Sequence, residues 1–309
     1  MQRFHPASRP NALHCKVIKE LAEKRFKPSA AGPEIRIAAV LGMDEATRAA
    51  LERIALLAKS RKTGVAGRFM PDRGVSVLLA SLGIAEHVEE PDFFKLRTVV
   101  TPYTGITARQ RRDWQEASYP MEDLTSPQVR RAQVALGLLK MEGARALVIG
   151  RHEDAESLAI SGGNTGATIL QDTTDTSRLE FSPAFGAVCQ TTLSPRRVSW
   201  LAQQLRLRWR DAKVTFLDTV VPAMIAREEA LERLLVDCER VVIVGEAGES
   251  SCEALVETAL RRGRQALVVA TPGELEAGDF RAGEKVALTA GAYATDEAIR
   301  EVAGALARG

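Results

Sequence analysis

Hydroxyl side chains gather at three points of this sequence where an apolar run stops and an amphipathic run starts. They are Thr191 and Thr192 in CQTTLS, Ser250 and Ser251 in GESSCEALVE, and Thr289 in TAGAY. Hydroxyls and open backbone N–H groups at a helix amino terminus suit a phosphate or carboxylate, because the donors and the helix dipole both favour negative charge there. Three such ends converging on one point would form an oxyanion site. Ser126 and Ser194 each precede a proline, a helix-start signal in which the serine oxygen caps and the proline needs no N–H at the first helical position. Capping explains one hydroxyl at each place and leaves Thr191 and Thr192 without a purpose. Arg151, at the end of ARALVIG, either adds a guanidinium fork to an anion or stands as a solvated loop arginine.

The elements that must position these groups alternate. From Ile35 onward, β-branched runs such as IRIAAVLG, RTVVT, ARALVIG, FGAVCQ, KVTFLD, RVVIVGE and KVALTA are followed by stretches of helical period. Strands alternating with helices imply parallel sheets covered on both faces, so the fold class is α/β. In such sheets a ligand lies beyond the carboxyl ends of the strands, where the hydroxyl clusters stand.

The chain has 309 residues, 45% hydrophobic and 27% charged, enough for two or three lobes with their own cores. Lys plus Arg is 42 against 40 for Asp plus Glu, a net charge of +2, which gives no reason to expect nucleic acid or an acidic membrane as a partner. Cys15, Cys189, Cys238 and Cys252 are widely spaced with no CxxC pair, so reduced thiols and a cytoplasmic location are expected. No apolar run approaches the roughly 18 residues of a membrane span. Residues 1–34 read as a basic extension, a candidate segment for docking a protein partner.

Taken in order, CQTTLS, VVIVGEAGESSCEALVE and VALTAGAYATDE resemble the LytB/IspH family of hydroxymethylbutenyl diphosphate reductases, over the body of the chain from about IRIAAVLGMDEATRAA to the end. The resemblance implies three parallel-sheet α/β lobes in pseudo-threefold arrangement around a central cavity, here expected at residues 35–123, 124–218 and 219–309. It also implies an iron–sulfur cluster in that cavity and reductive loss of a hydroxyl from an allylic diphosphate, in isoprenoid biosynthesis. The positions of the family's three cluster cysteines fall on Met43, Ser126 and Val221. Thioether, hydroxyl and isopropyl groups supply neither the charge nor the bond strength that holds a cluster. A chain with no iron–sulfur cofactor is therefore expected.

The diphosphate shell that the resemblance implies is changed as well. The family's three histidines fall on Pro71, Thr104 and Asp154, with His152 in reach of a shifted alignment. Thr191 matches a family residue near the substrate, and Glu156 falls on the family's proton-relay glutamate. A Ser-Ser-Asn series falls on Glu249, Ser250 and Ser251, or one residue later on Ser250, Ser251 and Cys252, and a last serine becomes Tyr293.

Cys189 and Cys252 flank the hydroxyl clusters, and with Cys15 they are the candidate substitute metal ligands; the rival reading makes both small buried fillers. Cys252 at a helix start is also a candidate nucleophile, although no histidine lies near it in sequence. Cys238 reads as structural. Two functions follow. One is a catalytically silent or repurposed binder of a diphosphate-like or other anionic small molecule, with Thr104, Ser126, Arg151, Thr191, Thr192, Ser250, Ser251 and Tyr293 as contacts. The other is a non-redox enzyme on an allylic isoprenoid diphosphate, with Glu156 as acid or base and Arg151 or Arg227 as positive fork. A reductase with substitute cluster ligands is a third, which the cysteine substitutions oppose.

Overall fold

The computed structural model describes residues 21, 32–90, 96–162, 166–276 and 278–308. Cys15 and nearly all of the extension, with its expected partner-docking role, lie outside the described residues.

Apolar runs buried on both faces become three separate parallel sheets. In one, β1 (Glu34–Ile37), β11 (Lys285–Ala290), β9 (Arg240–Val244) and β10 (Gln265–Val269) lie side by side in that order. A second holds β2 (Thr63–Val65), β3 (Thr98–Val100) and β4 (Met121–Glu122), and the third runs β6 (Thr168–Leu170), β5 (Arg145–Ile149), β7 (Ala184–Cys189), β8 (Lys213–Phe216). All pairings between these strands are parallel, which requires crossover helices and explains the β-branched, fully covered character of the central strands. Val241, Val242, Ile243 and Val244 of β9 are all inaccessible to solvent.

The first strand crosses between lobes. A boundary at residue 35 groups β1 with the residues that follow it, whereas β1 pairs with β11 from Glu34↔Lys285 to Ile37↔Leu288. Periodicity identifies a strand but carries no information about which strand it joins.

Each strand end feeds a helix. Helix α1 (Glu45–Ser60) follows β1, α2 (Arg73–Ser81) follows β2, α3 (Ala108–Glu116) follows β3, and α4 (Pro127–Met141) follows β4. Then come α5 (Ala155–Ser161), α6 (Thr173–Arg178), α7 (Pro195–Arg208), α8 (Pro222–Leu234), α9 (Ser250–Arg261) and α10 (Asp296–Leu306). Side-chain caps fix most starts: Asp44 accepts from Thr47 N for α1, Asp72 from Val75 N for α2, and Ser126 from Gln128 N for α4. Ser194 corrects the expectation for α7. It stands at the cap position, but its side chain makes no capping hydrogen bond, and its buried hydroxyl is left without a hydrogen-bond partner among the described residues.

Charged bridges tie the sheets together. Arg68 grips Glu246 through two bonds of 2.9 and 2.5 Å, Arg48 meets Asp296 at 2.5 Å, and Arg197 meets Glu257 at 2.5 Å. These pairs are about one third exposed on each side and each adds only about 0–1 kcal/mol. The apolar cores carry the fold. Leu147 on β5 is fully buried among Phe185, Leu170 and Leu205, so Leu147→Ala should destabilise the protein by about 2–5 kcal/mol in urea unfolding. A loss under about 1 kcal/mol would contradict this packing.

Candidate functional site

The starts of α1, α4 and α8 meet around a cavity of about 230 Å³. Asp44 and Thr47 line it from α1, Ser126 from α4, Val221 and Arg227 from α8, and Tyr103, Thr191, Thr192 and Tyr293 from the strand-end loops. The two tyrosines meet edge to face, with ring centres 6.3 Å apart and planes at 84°. Thr47 donates its hydroxyl to Tyr103 Oη at 3.3 Å. Burial pushes both phenols above their ordinary range, so they stay neutral donors at physiological pH.

Arg227 is the largest of the fully buried side chains. Its Nη2 donates to Gly42 O at 2.6 Å, its Nη1 lies 3.1 Å from Met224 Sδ, and its Nε has no partner. A carbonyl and a thioether leave the positive charge uncompensated by any direct ion pair among the described residues. Burial pushes its pKa down, against the pull of the nearby Asp44 and Glu249 charges.

Two buried carboxyl groups stand beside the cavity. Glu156, at the start of α5, accepts from Thr191 N at 2.5 Å. Burial, then the Asp154 charge, push it up to about 8, so it is predominantly a neutral acid at pH 7. Glu249 precedes α9 and curls onto it: Oε1 accepts from Ser251 N at 3.0 Å, and Oε2 from Cys252 N at 3.1 Å and from the Ser251 hydroxyl. Burial raises its pKa too, while those donors oppose the rise. The first turn of α9 is thus filled by the chain's own carboxyl group.

The residues singled out from the sequence divide among three spaces. Ser126, Thr191, Thr192 and Tyr293 line the central cavity. Ser250 and Ser251 are buried behind it, with Ser250 Oγ 2.5 Å from Thr192 Oγ1. Arg151 points elsewhere: its Nη1 donates to Gly248 O at 2.6 Å, and it lines a groove of about 580 Å³ with Arg68, His152, Asp154, Glu246 and Glu249. Thr104 lines a third space of about 530 Å³ beside His87 and Arg109, and its buried hydroxyl has no partner. Sequence reasoning did not single out Tyr103, although it is the immediate neighbour of Thr104. Its signal was a large phenol in a strand-end loop, the same signal that Tyr293 gave.

The positions Met43, Ser126 and Val221, of which Ser126 and Val221 line the cavity, do not fit an iron–sulfur cluster. Met43 is packed in the core around Phe69 and Tyr103, the Ser126 hydroxyl caps α4, and Val221 offers only an isopropyl group. Cys189 and Cys252 are engaged away from one another. Cys189 Sγ lies 3.3 Å from Thr219 Oγ1 and 3.7 Å from Asp218, and burial pushes its thiol up to about 12. Cys252 Sγ presses against two glycine backbones: a Cβ added at Gly245 or Gly291 would lie 2.5 Å from it. Burial raises its pKa well above 9.0, with the Glu249 charge adding to the rise. An enclosed thiol held protonated by burial is a poor nucleophile, and this packing favours the reading of Cys252 as a small buried filler. Among the described residues no group of three or more His, Cys, Asp and Glu side chains is arranged to hold a metal ion.

Comparison with known proteins gives one family. The LytB protein family matches residues 39–307. The 4-hydroxy-3-methylbut-2-enyl diphosphate reductase of Rhodopirellula baltica is 28% identical over 199 residues, 63% of this chain and 62% of the relative, so that match spans less than two thirds of the relative's length. The enzyme of the same name from Treponema denticola is 23% identical over 291 residues, 89% of this chain and 99% of the relative. Among solved structures, the E-1-hydroxy-2-methyl-but-2-enyl-4-diphosphate reductase from Plasmodium falciparum superposes with a TM-score of 0.79 at 19% identity, covering 87% of this chain and 86% of that one.

Proposed function

Since the chain belongs to the LytB family, we propose that it is a member working without an iron–sulfur cluster, silent in the reduction its relatives are named for, and that it binds a small anionic molecule in the central cavity. The observation that carries this reading is the set Met43, Ser126 and Val221: Ser126 and Val221 stand at the cap positions of two of the helices that meet at that cavity, and Met43 stands just before the cap of the third. None of them offers a thiol, and Cys189 and Cys252 are buried against other neighbours, Thr219 and two glycine backbones. Anion recognition follows from Arg227. A fully buried guanidinium without a carboxylate partner is costly to keep, and a ligand carboxylate or phosphate would supply the missing counter-charge. Tyr103, Tyr293, Thr191 and Thr192 offer hydroxyls on the same walls.

The test is iron and acid-labile sulfide per chain after anaerobic purification and cluster reconstitution. Both should stay far below stoichiometric. A full cluster per chain would sink the reading and return the protein to redox chemistry.

Glu156 favours a second reading, a non-redox enzyme acting on an allylic diphosphate of the kind its relatives are named for. With its pKa near 8, it can hold a proton at neutral pH beside Thr191, which lines the cavity, and so can serve as general acid. Turnover of an allylic diphosphate that is lost in Glu156→Gln would favour this reading over the silent one.

No described helix is long and apolar enough to cross a membrane.

A further inference from the structure

We propose that Glu249 is a built-in occupant: its carboxyl group fills the donor cradle at the start of α9 and excludes the phosphoryl group of a ligand from it, so this residue sets the class of ligand the chain accepts. The inference deepens the anion-binding reading of the central cavity and rests on it.

The cradle is complete in its donors. Ser251 N and Ser250 Oγ reach Glu249 Oε1 at 3.0 and 3.3 Å, and Cys252 N and the Ser251 hydroxyl reach Oε2. Ser251 Oγ in turn accepts from Ala292 N at 2.7 Å, from the loop after β11. Thr192 closes the chain through its contact with Ser250. Donors from three strand-end loops are thus drawn into one network that ends on Glu249.

A common helix cap uses a short side chain such as Ser, Thr, Asp or Asn. Here a longer glutamate folds back, is almost fully buried, and takes both amides and both hydroxyls of the first turn. The backbone has been brought close around it: a Cβ at Gly291 would lie 3.2 Å from Glu249 Oε2 and 3.1 Å from Ser251 Oγ.

The cradle is also on a route from solvent. Glu249 forms part of the wall of the open groove of about 580 Å³. A phosphate arriving from that side meets a carboxyl group where it would otherwise find four donors. Occupied volume and donors already taken both exclude it. The ligand is therefore one whose single anionic group is held in the central cavity near Arg227. A diphosphate needing the α9 cradle is selected against.

The probe is inorganic diphosphate, titrated into the full chain while the backbone amide signals of Ser251 and Cys252 are followed by NMR. In the wild-type protein these signals should not move. In Glu249→Ser they should shift and saturate, with affinity at that site raised about tenfold or more. Glu249→Asp, one methylene shorter, should fall between and serves as the second variant where the serine variant does not fold. Glu253→Gln, on the exposed side of the same turn, removes one negative charge without opening the cradle and should behave as wild type.

Saturable shifts of these amides in the wild-type chain would overturn the proposal. So would a folded Glu249→Ser that binds no better, or an equal gain in Glu253→Gln, which would make the effect one of bulk charge. Because these signals report only on α9, their failure is distinct from the finding of a cluster, which would sink the reading of the central cavity itself.

Discussion

Glu156→Gln should stabilise the protein at pH 8 and flatten the decline of its stability with rising pH. Glu156 is 1% exposed, and burial is the first cause of a pKa raised from 4.5 to about 8, with the Asp154 charge second and the Thr191 amide opposing. The native state therefore holds this proton across a window in which the unfolded chain has released it. Stability rises with pH only where the unfolded state binds more protons; here the native state binds more. The contribution is intact below about pH 4.5, declines as pH rises toward 8, and is fully lost above. At roughly 1.4 kcal/mol per pH unit, the full loss is on the order of 5 kcal/mol. Glutamine keeps the carbonyl that accepts from Thr191 N and never ionises. Urea unfolding at pH 5, 6.5 and 8 should give similar stabilities for the two proteins at the low end and a gap of a few kcal/mol at the high end. Asp72, raised to about 6, and Glu228 and Glu249, also raised by burial, leave a residual slope in the variant. Parallel curves for variant and wild type would mean that Glu156 is solvated and has no such shift.

That expectation connects to what the residue types reveal by themselves. RVVIVGE, ARALVIG and KVALTA announce buried parallel strands because a strand covered on both faces has no polar side, and β9, β5 and β11 lie there. Ser126-Pro127 announces the start of α4, and the hydroxyl caps it. What local patterns do not carry is direction and partner. Thr104 and Tyr103 are neighbours in PYTGIT, yet Tyr103 lines the central cavity and Thr104 a different groove. Arg151 ends a strand as expected but spends its guanidinium on the Gly248 carbonyl. Ser250 and Ser251 are spaced for an external anion, and it takes the curl of the Glu249 side chain, a matter of torsion angles, to close them internally. The cysteines show the same limit. Cys189 and Cys252 flank the hydroxyl clusters in sequence, but packing gives one to Thr219 and the other to two glycine backbones.

Arg227→Met separates stability from recognition at the central cavity. The guanidinium makes one good hydrogen bond, to Gly42 O, and loses the hydration that an exposed arginine keeps. Methionine matches much of the aliphatic stem and carries no charge into the interior. Leaving the Gly42 carbonyl unpaired costs about 1–3 kcal/mol; removing a desolvated, unpaired charge offsets much of this. Net stability should stay within about 2 kcal/mol of wild type. Binding should not survive. An anion held by two charge-assisted hydrogen bonds would lose about a hundredfold or more in affinity without them, and Arg227→Lys, which keeps the charge but not the planar fork, should recover only part. Inorganic phosphate followed through the Thr191 and Thr192 amide signals reads this directly, because both residues line the same walls. If phosphate moves those signals equally in wild type and Arg227→Met, the buried cation is a structural tie between α8 and the loop before α1, and the cavity recognises its ligand through hydroxyls alone. If the response disappears with the guanidinium while the fold stands, the arginine is kept in the interior for the anion it pairs with, because neither the carbonyl nor the thioether beside it can balance its charge.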